Sequence, residues 1–361
     1  MSKNDAASAV LRLDRAKELL DEGAFARALT LLDKPLPKAF RPEGDMVKAE
    51  CLRSRGYLAQ AAALFRGLVD GLNAPDRSSW LDCCLALVAC LRSLGETDAA
   101  RRYWAVGRKV ATTKEARERF DLEGALVERA AGDFPSSITK LTRHLARFKA
   151  ERDWVGAGYI LWALGGALRF AGDLEGSRRA FLEGLALSRR AGDPAGQAYA
   201  LFGLGGVTRI QGRFAEAEDY YARALKAMAG TEDVFGQAYA HCGLANVLRQ
   251  RGRLAEAERH YLRAHKLYTS IGDPVDLAYV DWGLGQVFLR RGELVPAEKR
   301  FRVALQGFAQ GGETRGVVLS ETALAALLHA KGRTQEAERL FDQAVRRARK
   351  AKIHTHLELF T

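Results

Sequence analysis

Cysteine is scarce in this chain, five residues among 361, and no two are spaced as a C-x-x-C pair. Cys51, Cys83, Cys84, Cys90 and Cys242 therefore suggest neither a disulfide framework nor a zinc ribbon. They read as small buried hydrophobes of a reducing compartment, with a redox role for the adjacent Cys83 and Cys84 as the alternative. Long apolar runs are missing too. The longest, Cys83 to Leu91, falls well short of the roughly 20 residues that cross a bilayer, so no membrane contact is expected. Met1-Ser2-Lys3-Asn4-Asp5 lacks the charged-then-apolar pattern of a secretory signal, and a cytoplasmic location is the default expectation. Catalytic signatures are absent: no G-x-S-x-G, P-loop, H-E-x-x-H or complete G-x-G-x-x-G. The chain is expected to be no enzyme and to carry no cofactor and no metal. His354 and His356, with Glu358 nearby, could hold a metal, but an isolated H-x-H in a tail reads as solvated.

What is present is apolar and basic. Hydrophobic residues make up 48% and charged residues 28%, enough for a continuous core beneath a soluble surface. The net charge of +12 points to anionic partners or to nothing more than an arginine-rich composition, and both readings stand.

Above all there is a period. Gly212-Arg213-Phe214-Ala215-Glu216-Ala217-Glu218 returns forty residues later as Gly252-Arg253-Leu254-Ala255-Glu256-Ala257-Glu258. Gly132, Gly172, Gly292 and Gly332 keep the spacing on either side. Such a period marks a solenoid whose length sets unit number rather than domain number. Each glycine reads as the end of one helix (A) and the turn into the next (B). Around Gly212, helix A is expected roughly from Gly196 to Gln211 and helix B roughly from Phe214 to Met228. Ala217, Tyr221, Ala224 and Leu225 lie on one face of helix B. Acidic residues at the same period, Asp153, Asp193, Asp233, Asp273 and Glu313, suit the N-cap of each helix A. Pro194 and Pro274 suit its first turn. Three columns run through the B helices: Ala217, Ala257, Ala297, Ala337; Tyr221, Tyr261, Phe301, Phe341; and Ala224, Ala264, Ala304, Ala344. They read as core. Gly203-Leu204-Gly205 and Gly283-Leu284-Gly285 read as close helix packing.

With Leu204-Gly205, Gly212, Ala217, Tyr221 and Ala224 in place, the chain resembles the tetratricopeptide repeat family. The following units carry Leu284-Gly285, Gly292, Ala297, Phe301 and Ala304. The 40-residue period resembles the long-repeat branch seen in LGN/Pins polarity adaptors and kinesin light chains. The resemblance implies an all-α, right-handed superhelical solenoid of about nine helix-turn-helix repeats. It is dense from Asp153 to Ala348 and thins upstream, where Gly23, Gly56 and Gly95 keep only the frame. The expected organisation is divergent repeats over 1–150, regular repeats over 151–352 and a tail over 353–361. Pro35, Pro37 and Pro42 suggest an irregular link at 33–44, and Gly71, Asn73 and Pro75 a second weak point at 71–78.

The resemblance also implies a binding wall, because the second, fifth, ninth, twelfth and thirteenth positions of helix A face the groove in this family. Carried over, the second position reads Tyr159, Tyr199, Tyr239, Tyr279 and the fifth Trp162, Phe202, Cys242, Trp282. The ninth reads Gly166, Gly206, Asn246, Gln286. Six successive twelfth positions hold Arg53, Arg92, Arg129, Arg169, Arg209 and Arg249, followed by Leu289 with Arg290 beside it and then His329. Arginine offers fork-shaped, charge-assisted hydrogen bonds, and tyrosine and tryptophan offer rigid apolar area. The alternative is structural: arginine in a helix's last turn complements the negative helix end. Helices pack about 8–10 Å apart and an extended chain advances about 3.3 Å per residue, so one arginine would meet every third residue of an acidic peptide. The expected function is a protein–protein adaptor binding an extended acidic or C-terminal segment. A solenoid binding single-stranded nucleic acid (RNA), and a regulatory subunit docking a catalytic partner, are the alternatives. The basic run Arg346, Arg347, Arg349, Lys350, Lys352 reads as a solvated helix face.

Overall fold

Glycine and aspartate punctuate the chain into helices, and the computed structural model follows that punctuation closely. It describes residues 3–71, 74–351 and 353. Lys352, Asn73 and the tail residues His354, His356 and Glu358 lie outside the described residues. Among those described there are eighteen α-helices and no strand. They are grouped by their contacts into two compact units, Met1–Gly172 with Gly230–Phe235, and Asp173–Ala229 with Gly236–Thr361.

The first unit holds α1 (Lys3–Asp21), α2 (Phe25–Leu32), α3 (Arg41–Ser54), α4 (Leu58–Asp70), α5 (Arg77–Ser93), α6 (Thr97–Val110), α7 (Lys114–Ala130), α8 (Phe134–Ala150) and α9 (Trp154–Phe170). Successive helices pack on one another from α1 to α9. The proline-rich link is shorter than 33–44: a 3₁₀ turn over Lys38–Phe40 leads straight into α3, whose first turn accepts Pro42. The second break is real, for α5 starts only at Arg77 behind the Asp76 cap. The α2 helix begins without a capping side chain of its own. Residues 230–235 of the same unit supply one: the Glu232 carboxylate accepts from the Ala26 amide at 2.7 Å and pairs with Arg55 at 3.2 Å.

The second unit holds α10 (Leu174–Arg190), α11 (Pro194–Ile210), α12 (Phe214–Met228), most of α13 (Val234–Gln250), α14 (Leu254–Ile271), α15 (Pro274–Arg290), α16 (Leu294–Gln310), α17 (Thr314–Ala330) and α18 (Thr334–Lys350). Odd-numbered helices are the A helices and even-numbered ones the B helices. Gly212, with φ of 76°, adopts the left-handed conformation that lets α11 stop and α12 start within three residues. The five other glycines of the expected period do the same. Asp153, Asp193 and Asp273 each accept the amide three residues on, at 2.8–3.0 Å, as N-caps do. Glu313 does not cap α17; its longer side chain accepts a hydrogen bond from the Tyr279 hydroxyl at 3.2 Å instead.

The three B-helix columns are core, with one exception. Every alanine of the two small columns is buried, as are Tyr221, Tyr261 and Phe301, but Phe341 is 51% exposed. It sits on α18, and no helix follows α18 among the described residues. The A-helix glycines make room for these rings. A Cβ on Gly205 would stand 2.7 Å from the Tyr221 ring, and one on Gly243 would run into the same ring from the other side. A column absent from the sequence reading joins successive turns at the surface. Glu218 pairs with Arg251, Glu258 with Arg291 and Glu298 with Lys331. Each is a pair 33 residues apart, repeated at the period of 40.

Candidate binding site on the A helices

The arginines and aromatics of the A helices come together, but not as one uniformly open wall. In the first unit, Arg53 is exposed and paired with Glu50 at 2.7 Å. Arg92 is buried, and its Nε donates to Glu123 of α7 at 2.8 Å. Burial opposes its charge, but the Glu123 carboxylate and the Tyr159 hydroxyl together outweigh this and raise its pKa. Arg129 lies half-buried with its guanidinium 5.2 Å from the Trp162 ring centroid. Trp162 stacks on Tyr159 at 5.8 Å, and Tyr159 is 43% exposed. Arg169, half-buried, stands 4.7 Å from the Phe170 ring.

In the second unit, Arg209 and Arg249 are buried, so they are part of the stack and not the exposed residues that a groove position suggests. Arg249 repeats the Arg129 geometry, 5.2 Å from the Trp282 ring. Its Nε donates to the Tyr261 hydroxyl at 3.1 Å, which donates in turn to Asn246 Oδ1 at 2.7 Å. Arg290 is exposed and donates to the Arg249 carbonyl at 2.8 Å. Desolvation and the neighbouring Arg249 cation lower its pKa. Trp282 is buried, with its indole N–H on the Leu319 carbonyl at 3.2 Å. Phe202 is buried as well, between half-buried Tyr199 at 5.4 Å and Tyr239 at 5.3 Å. Tyr279 is half-buried; its ring meets Phe308 at 4.6 Å and its hydroxyl accepts from Arg315 at 2.9–3.0 Å. Gln286 is half-buried beside these groups on α15.

The sequence reading missed Glu50, Glu123 and Arg315, which pair with Arg53, Arg92 and Tyr279. None of them recurs at the period, so no repeat signal points to them. The cysteines behave as hydrophobes. Burial pushes Cys51 up to about 11 and Cys83, Cys84, Cys90 and the half-buried Cys242 up to about 12. At neutral pH they hold almost no thiolate, the form that redox chemistry needs. Among the described residues no three His, Cys, Asp or Glu side chains cluster as a metal site, and no helix is long and apolar enough to cross a membrane.

Comparison with known proteins agrees with this architecture. Residues 124–268 match the MalT-like TPR region, and residues 236–310 and 322–351 match tetratricopeptide repeats. No curated protein matches by sequence. Among solved structures, the chain is similar to BtubC (BKLC) from P. vanneervenii at 21% identity and a TM-score of 0.50, covering 62% of this chain and 93% of that one. The apo form of RapI matches at 15% identity and a TM-score of 0.59, over 75% of this chain and 98% of its own. A Rap protein complexed with competence and sporulation factor matches at 12% identity and a TM-score of 0.58, over 92% and 99%. Identities this low carry the fold alone, an all-α helical repeat solenoid. With left-handed glycines at the turns, alanine and aromatic columns in the B helices and family matches over most of the chain beyond residue 124, this is a tetratricopeptide repeat protein.

Proposed function

We propose that the chain is a non-catalytic adaptor that binds an extended acidic segment of a protein partner along its A helices. The observation that carries this reading is the register. In each unit a guanidinium lies 5.2 Å from a tryptophan ring, and cationic or aromatic side chains keep wholly or partly exposed surface beside it: exposed Tyr159 and half-buried Arg169 in the first, exposed Arg290 in the second. Arginine at this spacing suits carboxylates on an extended chain, and the tyrosines give apolar area with a polar tip. The Rap protein of similar fold was solved in complex with competence and sporulation factor, which supports a fold able to hold a partner.

Fluorescence anisotropy with a labelled decaglutamate peptide tests the reading, with an oligouridylate of equal charge as the comparison. The parent should prefer the peptide. Arg169→Ala and Arg290→Ala should each weaken it by roughly tenfold, and Tyr159→Ala should weaken it less, all with an unchanged helical circular dichroism signal. Peptide affinity indifferent to all three substitutions overturns the proposal. So does tighter binding of the oligouridylate with a log–log salt slope that flattens by about 0.7 for each arginine removed.

A further inference from the structure

The arginines of the first unit are not equivalent, and the difference lies in the carboxylates opposite them. Arg53 has Glu50 and Arg92 has Glu123. Arg129 forms no ion pair among the described residues, and its Nε is buried without any hydrogen-bond acceptor. The register explains why. Glu123 lies six residues before Arg129 on α7; the position six residues before Arg169 on α9 is Ala163, which is fully buried. The placement that gives Arg92 its carboxylate thus gives Arg129 a methyl group. Like charges flank it instead. Burial first, then the Arg92 and Arg169 guanidinium groups, pull the Arg129 pKa down to about 10 against the opposing influence of Tyr159 and, more weakly, of Glu123, so it stays charged at neutral pH with its nearest carboxylate already paired to Arg92. Arg169 likewise forms no ion pair among the described residues. Glycine at 166 makes room for the cation, since a Cβ there would stand 2.9 Å from Arg129 Nη1. The Trp162 ring lies beneath, with the exposed edge of Tyr159 beside it.

A desolvated cation between two others is costly to fold unless something neutralises it. We infer that Arg129, with Arg169 beside it and Trp162 beneath it, is the subsite that takes a carboxylate of the bound acidic segment, the Arg92–Glu123 pair closing one side. This rests on the function proposed above and deepens it: the second unit holds Arg249 with the Tyr261 hydroxyl, whereas the first leaves a cation for the ligand to neutralise. Such a residue carries a signature that a packing arginine lacks. Its removal weakens ligand binding and does not weaken the fold, because the loss of contact with Trp162 is offset by relief of repulsion from Arg92 and Arg169.

The test is Arg129→Gln in the full chain, with thermal unfolding alone, thermal unfolding in inorganic phosphate at constant ionic strength, and decaglutamate binding. The parent should gain in midpoint with phosphate, and Arg129→Gln should lose that gain. Without phosphate the variant's midpoint should equal or exceed the parent's, and its decaglutamate affinity should fall by roughly tenfold or more. A lower midpoint together with an undiminished phosphate gain makes Arg129 a packing residue and overturns the inference. Decaglutamate binding equal to the parent's overturns it too, while leaving the adaptor reading intact. If the parent shows the Arg129-dependent phosphate gain but binds no decaglutamate, the adaptor reading fails and the carboxylate assignment fails with it, leaving an anion site of another kind.

Discussion

Two imidazoles meet where α13 packs on α14, with His241 Nδ1 and His260 Nδ1 2.9 Å apart. One ring must donate to the other, which requires at least one of them to be neutral. Burial, then His260, then Arg263 bring His241 down to about 4, and burial followed by Arg259 lowers His260. An unfolded imidazole titrates near 6.5, so the unfolded state binds the proton better than the fold does. The pair's contribution is therefore fully present above about pH 6.5 and is lost as pH falls toward 4. For a half-buried group the loss amounts to on the order of 1–2 kcal/mol once solvent screening is counted. His241→Gln should flatten the fall in unfolding midpoint between pH 7 and 4. Superimposable curves for variant and parent would assign that fall to other groups.

At the scale of the element, the buried aromatics Tyr221, Tyr261 and Phe301 of the B-helix column are gripped by A-helix glycines. The Tyr221 ring faces Gly205 of α11 and Gly243 of α13, and Phe301 faces Gly285 of α15. The Gly-Leu-Gly fragments are thereby explained as seats for rings. Gly243→Ala and Ala257→Leu both overfill such contacts, Ala257 being fully buried, and each should cost about 1–3 kcal/mol in denaturant unfolding. A midpoint unchanged by either substitution would place that position at the surface. The caps follow the same local logic, since a short Asp at 153, 193 or 273 reaches the amide three residues on, whereas Glu313 overshoots and bonds Tyr279.

At the scale of the molecule, repeats that rest on their neighbours make stability a sum over units and the contacts between them. Phe341 shows what a missing neighbour does: an interior column residue by pattern, it is half-exposed on α18, which no further helix covers among the described residues. Removing residues 313–361 takes away α17 and α18 and the Glu298–Lys331 pair, and should lower the unfolding midpoint while the remaining chain keeps its helical signal. Loss of the whole helical signal on truncation would show that the array folds only as a block.

The sequence by itself determined what depends on a few neighbouring residues. A glycine that must turn left, an aspartate that reaches an amide three positions on and a ring spaced for one helix face all act within one turn, so helix ends, repeat frame and most of the core were legible. Even the fit of α11, expected near Gly196–Gln211 and found at Pro194–Ile210, misses only by the length of a cap. Tertiary structure decided the charge state of the ladder. Arg92 meets Glu123 from the next A helix, whereas the matching register position on the helix after Arg129 holds Ala163, and the repeat pattern scores both arginines alike. It decided that Trp282 and Phe202 sink into the stack while Tyr159 stays out, and that Glu232 reaches Ala26, 206 residues away. The physical reason is range: backbone preference and capping are read within one turn, whereas burial and counter-charge are set by whichever side chain another helix brings opposite.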